Sequence, residues 1–175
     1  IYDRFVAEAV RRFHQVKVGL PWEEDTQMGS LISQRQRDKV HGFVEMAVKE
    51  GAKIALGGNF YKDEKTKNGA FYQPTILVNV NNKMRIAQEE VFGPVLVIIP
   101  FHSEEEVIAM ANDSEYGLGG AVFTRDINRA FRVARGVEIG RMWVNTYNQL
   151  LEKAPFGGYK KSGIGRETHA MILNA

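Results

Sequence analysis

The sequence predicts an α/β fold in which strands and helices alternate in the order βαβαβ and form a parallel sheet. Residues 95–101 form a continuous apolar run, which is typical of a strand covered on both faces. Ser103 and Asp126 are good N-cap residues that each precede a helical stretch. Short strand-like segments follow both helices. The predicted elements are a strand at 95–101, a helix at 103–112, a strand at 119–124, a helix at 126–136 and a strand at 141–145.

The first half predicts two further helices and two further strands. Apolar residues recur at helical spacing over residues 2–18, and a Gly-Leu-Pro sequence ends that pattern. Ser33 and Gln36 have the spacing of a capping box at the start of the next helix, and Gly51 marks its end. The predicted strands are at 53–56 and 71–80, and Pro74 predicts that the second of them lies at a sheet edge.

Residues 154–166 contain four glycines and predict a loop before a final short helix. There is no internal repeat, low-complexity tract or interdomain linker. We therefore expect residues 1–175 to form a single domain, as their number allows.

Composition excludes several classes of protein. The chain is 44% hydrophobic and 25% charged, and 23 basic against 21 acidic residues give a net charge of +2. That balance does not favour binding to nucleic acid or to a membrane surface. The absence of cysteine excludes a disulfide framework, a thiolate metal site and a thiol nucleophile on this chain. Without a signal peptide or a transmembrane run, a cytoplasmic location is the expectation.

The residues alone leave the functional site open. Asn145 and the loop after it follow a strand of the parallel sheet, where ligands bind in open α/β folds. Glu89 and Glu90 precede their strand, so they are either solvated turn residues or groups directed at a ligand. The glycine-rich segments match neither a P-loop nor a dinucleotide fingerprint, which favours tight turns over phosphate binding. The histidines lack metal-ligand spacing.

Four motifs together nevertheless resemble those of one family. The segments EEVFGPV, NDSEYGLGGAVFTRD, WVN and PFGGYKKSGIGRE occur in the order and spacing of NAD(P)-dependent aldehyde dehydrogenases. The resemblance runs from residue 1 to the end and covers the C-terminal part of the family's catalytic domain. It implies the catalytic-domain part of the aldehyde dehydrogenase fold, truncated at both ends.

The resemblance implies roles for individual residues. Glu90 corresponds to the glutamate that holds the nicotinamide ribose hydroxyls of NAD or NADP, and Phe92 to the phenylalanine near the nicotinamide ring. An ionised carboxylate accepts two hydrogen bonds readily, which suits a pair of ribose hydroxyls. Glu89 has no such role in the family and is interpreted as a solvated or structural neighbour.

Other correspondences concern proton transfer, substrate and cations. Glu167 matches a glutamate of a proton relay, although an ordinary acid at a helix start is an equal alternative. Leu150, Leu151 and Phe156 match the substrate wall. Because leucines replace aromatic residues found there in several members, we expect an uncharged aldehyde rather than betaine aldehyde. No side chain is expected to bind metal, but the backbone at Lys160 and Gly163 matches an intersubunit cation site.

The family mechanism requires groups that this chain lacks. A cysteine attacks the aldehyde to form a thiohemiacetal, which is oxidised to a thioester and hydrolysed to a carboxylate. That cysteine, the general-base glutamate and the dinucleotide-binding domain correspond to positions before residue 1. We therefore expect the isolated chain to be inactive and to bind NAD weakly or not at all.

Two hypotheses follow. The chain is part of an ordinary aldehyde dehydrogenase, as its Ile1 start and intact EEVFGPV motif favour, or it is a naturally truncated relative that acts as a binding or structural module. The first hypothesis implies a small aldehyde substrate and a homo-oligomeric parent. In either case we expect the chain to self-associate through an unpaired strand edge.

Overall fold

The computed structural model describes residues 1–151, 153–168 and 170. It contains two compact units, residues 1–100 and residues 101–175. Each unit combines helices with a small sheet or pair of strands, which confirms the predicted α/β class. Within the described residues, no helix combines the length and the apolar character needed to cross a bilayer.

The first unit has a three-stranded sheet. Its elements are α1 (Tyr2–His14), α2 (Gln34–Lys49), β1 (Lys53–Leu56), β2 (Thr75–Val78), α3 (Arg85–Gln88) and β3 (Val95–Val97). The strand order is β1-β2-β3, with β1 antiparallel and β3 parallel to β2. The prediction that the strand after Pro74 lies at an edge is therefore wrong. Pro74 precedes β2, so its missing N–H removes no hydrogen bond from the ladder.

The predicted boundaries of α1 and α2 are confirmed only in part. Helix α2 begins as predicted, because the Ser33 hydroxyl accepts a hydrogen bond from the Gln36 N–H at 3.1 Å. The second half of the predicted capping box is wrong. The Gln36 side chain instead donates to the carbonyl oxygens of Val91 and Phe92, at 3.1 Å each. Helix α1 ends at His14, four residues before the end of the predicted pattern at Val18.

The core of the first unit lies between α2, α3 and the sheet. Its buried side chains are Val40, Phe43, Val44, Ala47, Ala52, Tyr72, Leu77, Val80 and Ile86. Thr75 is also fully buried, at the start of β2. Its hydroxyl accepts a hydrogen bond from the Gly58 N–H at 2.9 Å and donates one to the Gln73 carbonyl at 2.8 Å. The hydroxyl thus satisfies two backbone groups that β2 and the turn after β1 leave unpaired.

We expect Thr75→Val to lower the free energy of unfolding by about 1–3 kcal/mol, because it leaves the Gly58 N–H buried without an acceptor. Thr75→Ser keeps the hydroxyl and is the matched control; it should cost clearly less. Urea unfolding of the purified chain, followed by far-ultraviolet circular dichroism, measures both. Equal losses for the two variants would show that the methyl group contributes as much as the hydroxyl, and would contradict the expected dominance of the hydroxyl.

The second unit contains the predicted parallel strand–helix–strand unit. Its elements are α4 (Glu104–Asn112), β4 (Tyr116–Gly117), β5 (Gly119–Val122), α5 (Ile127–Gly136), β6 (Arg141–Val144) and β7 (Tyr159–Lys160). Strand β6 is parallel to β5, and α5 connects them. The predicted third partner, β3, pairs with β2 in the first unit, so the parallel pairs lie in two small sheets. Ser103 and Asp126 cap α4 and α5 as predicted.

Two short features of the second unit were not predicted. Strands β4 and β7 have two residues each and pair antiparallel, with Tyr116 opposite Lys160. Residues 159–160 therefore belong to a strand within the predicted loop. The predicted final helix falls mainly on residue 169 and residues 171–175, which lie outside the described residues.

Candidate functional site

The turn before β3 treats its two adjacent carboxylates differently. Glu89 closes α3, where Arg85 contacts both of its carboxylate oxygens; the Arg85 Nη2–Glu89 Oε2 distance is 2.9 Å. These hydrogen bonds hold the pKa of the Glu89 carboxyl below its ordinary value. Glu90, the next residue, is exposed and makes no hydrogen bond or ion pair with any described residue. The Glu89 carboxylate thus stabilises the end of α3, and the Glu90 carboxylate is available to a ligand.

Hydrogen bonds, a left-handed backbone angle and close packing against α2 define the conformation of this turn. Gln36 of α2 binds the carbonyl oxygens of Val91 and Phe92. Phe92 has the left-handed backbone angle φ = 54°, which is uncommon for a bulky residue. Gly93 lies so close to α2 that a Cβ there would be 2.4 Å from Val40 Cγ2. Glycine is required at this position because the turn lies directly against the buried face of α2.

The conformation of the turn exposes the Phe92 ring. Its side chain is 68% exposed, although phenylalanine is among the most frequently buried residues. An exposed aromatic ring and an unpaired carboxylate two residues apart suit a ligand with one flat face and hydroxyl donors. The predicted contact of Glu90 and Phe92 with the nicotinamide riboside stays a prediction.

Strand β6 of the second unit forms a platform for the loop that follows it. Arg141 and Trp143 are two residues apart, so they lie on the same face of the strand. The Arg141 guanidinium donates to the carbonyl oxygens of Ala154 at 3.1 Å and Pro155 at 3.2 Å. The Trp143 indole N–H donates to the Gln149 carbonyl at 2.9 Å. Two side chains of β6 thus fix both ends of the loop that contains the predicted substrate wall.

Asn145 follows Trp143 and Val144 in the WVN motif and joins the ends of β5 and β6. It has φ = 55°, and its side-chain amide makes two hydrogen bonds with the backbone of Thr124, at 2.9 and 3.0 Å. Its own N–H donates to the Val122 carbonyl at 2.9 Å. Sequence reasoning placed Asn145 correctly at the carboxyl end of a parallel strand; its side chain is used there to shape the backbone.

The predicted wall residues differ in exposure. Leu150 and Leu151 are 55% and 68% exposed, while Phe156 is partly buried. The wall also has aromatic side chains that the sequence analysis did not assign, since the rings of Trp143 and Tyr147 pack edge to face at 5.4 Å. The wall is therefore apolar at its exposed end and aromatic near β6.

Glu167 lies beside Phe156. The two residues form an antiparallel bridge, with N–O distances of 2.9 and 2.7 Å between their backbones. The Glu167 side chain is exposed to solvent. The structure brings Glu167 and the wall residue Phe156 together, and the relay stays a prediction.

Lys160 and Gly163, the predicted backbone cation site, form a tight turn. Both have left-handed backbone angles, 53° and 87°, and the Gly163 N–H lies 3.3 Å from the Lys160 carbonyl oxygen. The Lys160 ammonium binds the carbonyl oxygen of Asn112 at 2.9 Å and the Glu138 carboxylate at 3.0 Å. The lysine side chain thus fastens this turn to the end of α4.

A separate cavity of about 300 Å³ lies in the second unit. Its walls are formed by Ala111, Ser114, Tyr116, Gly117, Leu118, Gly119, Gly120, Val137 and Ile139. None of the predicted site residues contributes to it, and none of its lining residues is charged. Apart from Ser114 and Tyr116, which each carry a hydroxyl, the residues of its lining are apolar or glycine.

The predicted site residues thus form two groups. Glu90 and Phe92 lie in the first unit; the wall residues, Glu167 and the Lys160 turn lie in the second. Sequence reasoning missed Gln36 and Arg141, which position these groups. Arg141 alternates with Trp143 along a predicted strand, and this spacing was a signal that could have indicated Arg141.

Comparison with known proteins identifies related sequences over the whole chain. The aldehyde dehydrogenase family matches residues 1–175. The chain is 49% identical over 167 residues to betaine aldehyde dehydrogenase of Bacillus subtilis, covering 95% of this chain and 34% of that protein. It is 45% identical over 175 residues to acetaldehyde dehydrogenase of Pseudomonas aeruginosa, covering 99% of this chain and 34% of that protein.

Solved structures give the same result for the fold. A crystal structure of betaine aldehyde dehydrogenase from Staphylococcus aureus in complex with NAD+ superposes with a TM-score of 0.95 at 44% identity. The match covers 99% of this chain and 34% of the crystallised chain. The chain therefore spans 34% of the length of the two curated relatives described above.

Proposed function

Because this chain belongs to the aldehyde dehydrogenase family, we propose that it contributes to an enzyme that oxidises an aldehyde to a carboxylate with NAD+ or NADP+. Its contributions are the ribose contact of Glu90, the nicotinamide contact of Phe92 and a wall of the aldehyde site. The observation that carries this proposal is that the Glu90 carboxylate pairs with no described residue, whereas the adjacent Glu89 carboxylate is paired with Arg85. The NAD+ complex of a relative that is 44% identical supports NAD+ as the cofactor.

Each residue has a limited role in this proposal. The bound dinucleotide supplies the hydride acceptor. Glu90 orients it by accepting hydrogen bonds from two ribose hydroxyls, and the exposed Phe92 ring covers one side of the nicotinamide. The loop held by Arg141 and Trp143 orients the aldehyde and excludes water. Glu167 is proposed as an outer member of the proton relay.

The remaining expectations are proposals of the same kind. Residues 1–175 form part of one catalytic domain of a cytoplasmic homo-oligomer, and the chain by itself self-associates. The substrate is a small aldehyde. The names of the two curated relatives suggest both a quaternary ammonium aldehyde and a small uncharged one, and the exposed Leu150 and Leu151 favour the uncharged class.

In the full-length enzyme, we expect Glu90→Gln to raise the Kd for NAD+ about tenfold, because it weakens hydrogen bonds to a charged acceptor. Isothermal titration calorimetry measures the Kd directly. Glu89→Gln is the matched control: it removes a carboxylate one residue away that is paired with Arg85, so its Kd should stay within about twofold. Equal effects of the two variants, or none at Glu90, would refute the proposed ribose contact.

The isolated 175-residue chain should show no NAD+-dependent aldehyde oxidation, because the thiol nucleophile of the family is absent from its sequence. An assay of NADH formation at 340 nm, on material purified a second time under denaturing conditions and refolded, measures this. Intact mass spectrometry of the same sample must show a single species near 19.8 kDa. Activity of that species would contradict the assignment of the nucleophile to another part of the enzyme.

A further inference from the structure

We infer that Arg141 is a specificity-determining residue: it holds the substrate wall and makes the aldehyde site select against cationic substrates. This inference rests on the proposed function and names its substrate class, an uncharged aldehyde. It depends on the Arg141 side chain and on the backbone carbonyl oxygens and aromatic rings that this side chain contacts. Neither the motifs nor the names of the relatives contain it.

Arg141 fixes the position of the backbone that precedes Phe156. Arg141 donates from the same nitrogen, Nη2, to the carbonyl oxygens of Ala154 and Pro155, at 3.1 and 3.2 Å. Hydrogen bonds from a guanidinium are stronger than neutral ones, so they fix the backbone just before Phe156. Thr168 adds a hydrogen bond to the Ala154 carbonyl at 2.7 Å. The position of the Phe156 ring therefore depends on Arg141.

Two aromatic rings lie near the same guanidinium. The Arg141 guanidinium carbon lies 5.3 Å from the centre of the Phe156 ring and 5.9 Å from that of Trp143. Both distances are within the range of a cation–π interaction. A quaternary ammonium group is recognised by the same negative ring faces. At this wall, the protein's own cation already interacts with the two rings that would otherwise attract a cationic substrate.

The Arg141 guanidinium also places a positive charge at this wall. Arginine stays protonated at every pH at which the enzyme works. Among the described residues, no carboxylate forms an ion pair with the Arg141 guanidinium, whereas the Lys160 ammonium is paired with Glu138. A positive charge that is only partly exposed and has no carboxylate partner among the described residues repels a second one over about 8 Å, enough for a tenfold or greater difference in binding. An uncharged aldehyde does not experience this repulsion.

The test uses two aldehydes of the same shape, betaine aldehyde and 3,3-dimethylbutanal, which differ by a nitrogen cation in place of a carbon. In the full-length enzyme, kcat/KM should be at least tenfold higher for the uncharged aldehyde. Arg141→Met removes the charge and keeps an apolar stem, so this ratio should fall about tenfold. Arg141→Lys keeps the charge and loses the planar donor, so the ratio should stay near that of the wild type while kcat falls for both aldehydes.

A second measurement avoids any variant that fails to fold. Choline and 3,3-dimethylbutan-1-ol are tested as inhibitors of the wild-type enzyme, and the uncharged alcohol should have the lower inhibition constant by about tenfold. A wild-type preference for the cation, or a ratio unchanged in Arg141→Met, would overturn the role of Arg141 and leave the proposed function intact. Absence of turnover with both aldehydes would overturn the proposed function, and the inference with it.

Discussion

Gly140→Ala is expected to unfold the second unit under conditions in which the wild type is stable, with a loss of at least about 3 kcal/mol in the free energy of unfolding. A Cβ at residue 140 would lie 1.7 Å from the Gly157 carbonyl oxygen and 3.0 Å from the Gly158 Cα. Both are backbone atoms, so no rotation of a side chain relieves the overlap. The chain around residues 157 and 158 would have to move.

That movement would also disturb the candidate site. Gly140 lies directly before β6, and its N–H donates to the Gly117 carbonyl at 3.0 Å. Displacing residues 157 and 158 shifts Phe156 away from Arg141 and weakens the β4–β7 pair, which ends at residue 160. We therefore expect the wall to lose its shape even where the unit stays partly folded.

The measurement uses the tryptophan inside this unit. The chain has two tryptophans, and replacing the exposed Trp22 with Phe leaves Trp143 as the single reporter of urea unfolding. Gly165→Ala is the matched control, because a Cβ there meets no atom within 4 Å in the part of the chain that the structure describes. It should change the free energy of unfolding by less than about 0.5 kcal/mol. A Gly140→Ala free energy of unfolding as close to wild type would show that residues 157 and 158 yield easily.

The sequence predicts those parts of the fold that depend on local chemistry. Helices α4 and α5 begin and end at the predicted residues, and their first residues are set by Ser103 and Asp126, whose side chains cap the N-termini. Strand β1 has the predicted bounds as well. In each case the signal and the structure it specifies lie within a few residues of one another.

Long-range pairing was not predictable in the same way. An apolar run shows that β3 is a strand, but a strand can pair with any suitable edge, and β3 pairs with β2. The two-residue strands β4 and β7 exist because Tyr116 and Lys160 meet, although they are far apart in the chain. No periodicity can indicate an element of two residues.

The candidate site shows the same limit. The motifs indicated Glu90 and Phe92, but no motif indicated the residues that position them. Gln36 looked like a capping residue, and its side chain binds a turn more than fifty residues away. Likewise, the alternation of Arg141 with Trp143 indicates that they share a face of a strand, but it does not indicate that the Arg141 guanidinium reaches Ala154. Side-chain contacts across the fold decide these roles.

Gly93→Ala is the second variant with a large expected effect, because it separates the turn before β3 from α2. Its Cβ would lie 2.4 and 2.9 Å from the two γ carbons of Val40, a fully buried residue. Valine has a stiff, branched side chain, so no rotamer removes both contacts. We expect a loss of about 1–3 kcal/mol in the free energy of unfolding and, in the full-length enzyme, at least about a tenfold rise in the Kd for NAD+ as Glu90 and Phe92 move.

A double-mutant cycle with Val40→Ala tests this cause. Val40→Ala alone removes two buried methyl groups and should cost about 2 kcal/mol. The double variant has space for the new methyl group, so its loss should be smaller than the sum of the single losses by at least about 1 kcal/mol. The Kd for NAD+ should then return toward the wild-type value. Additive losses, or an NAD+ affinity that the second substitution leaves unrestored, would mean that Gly93 acts on the turn by some route other than its contact with Val40.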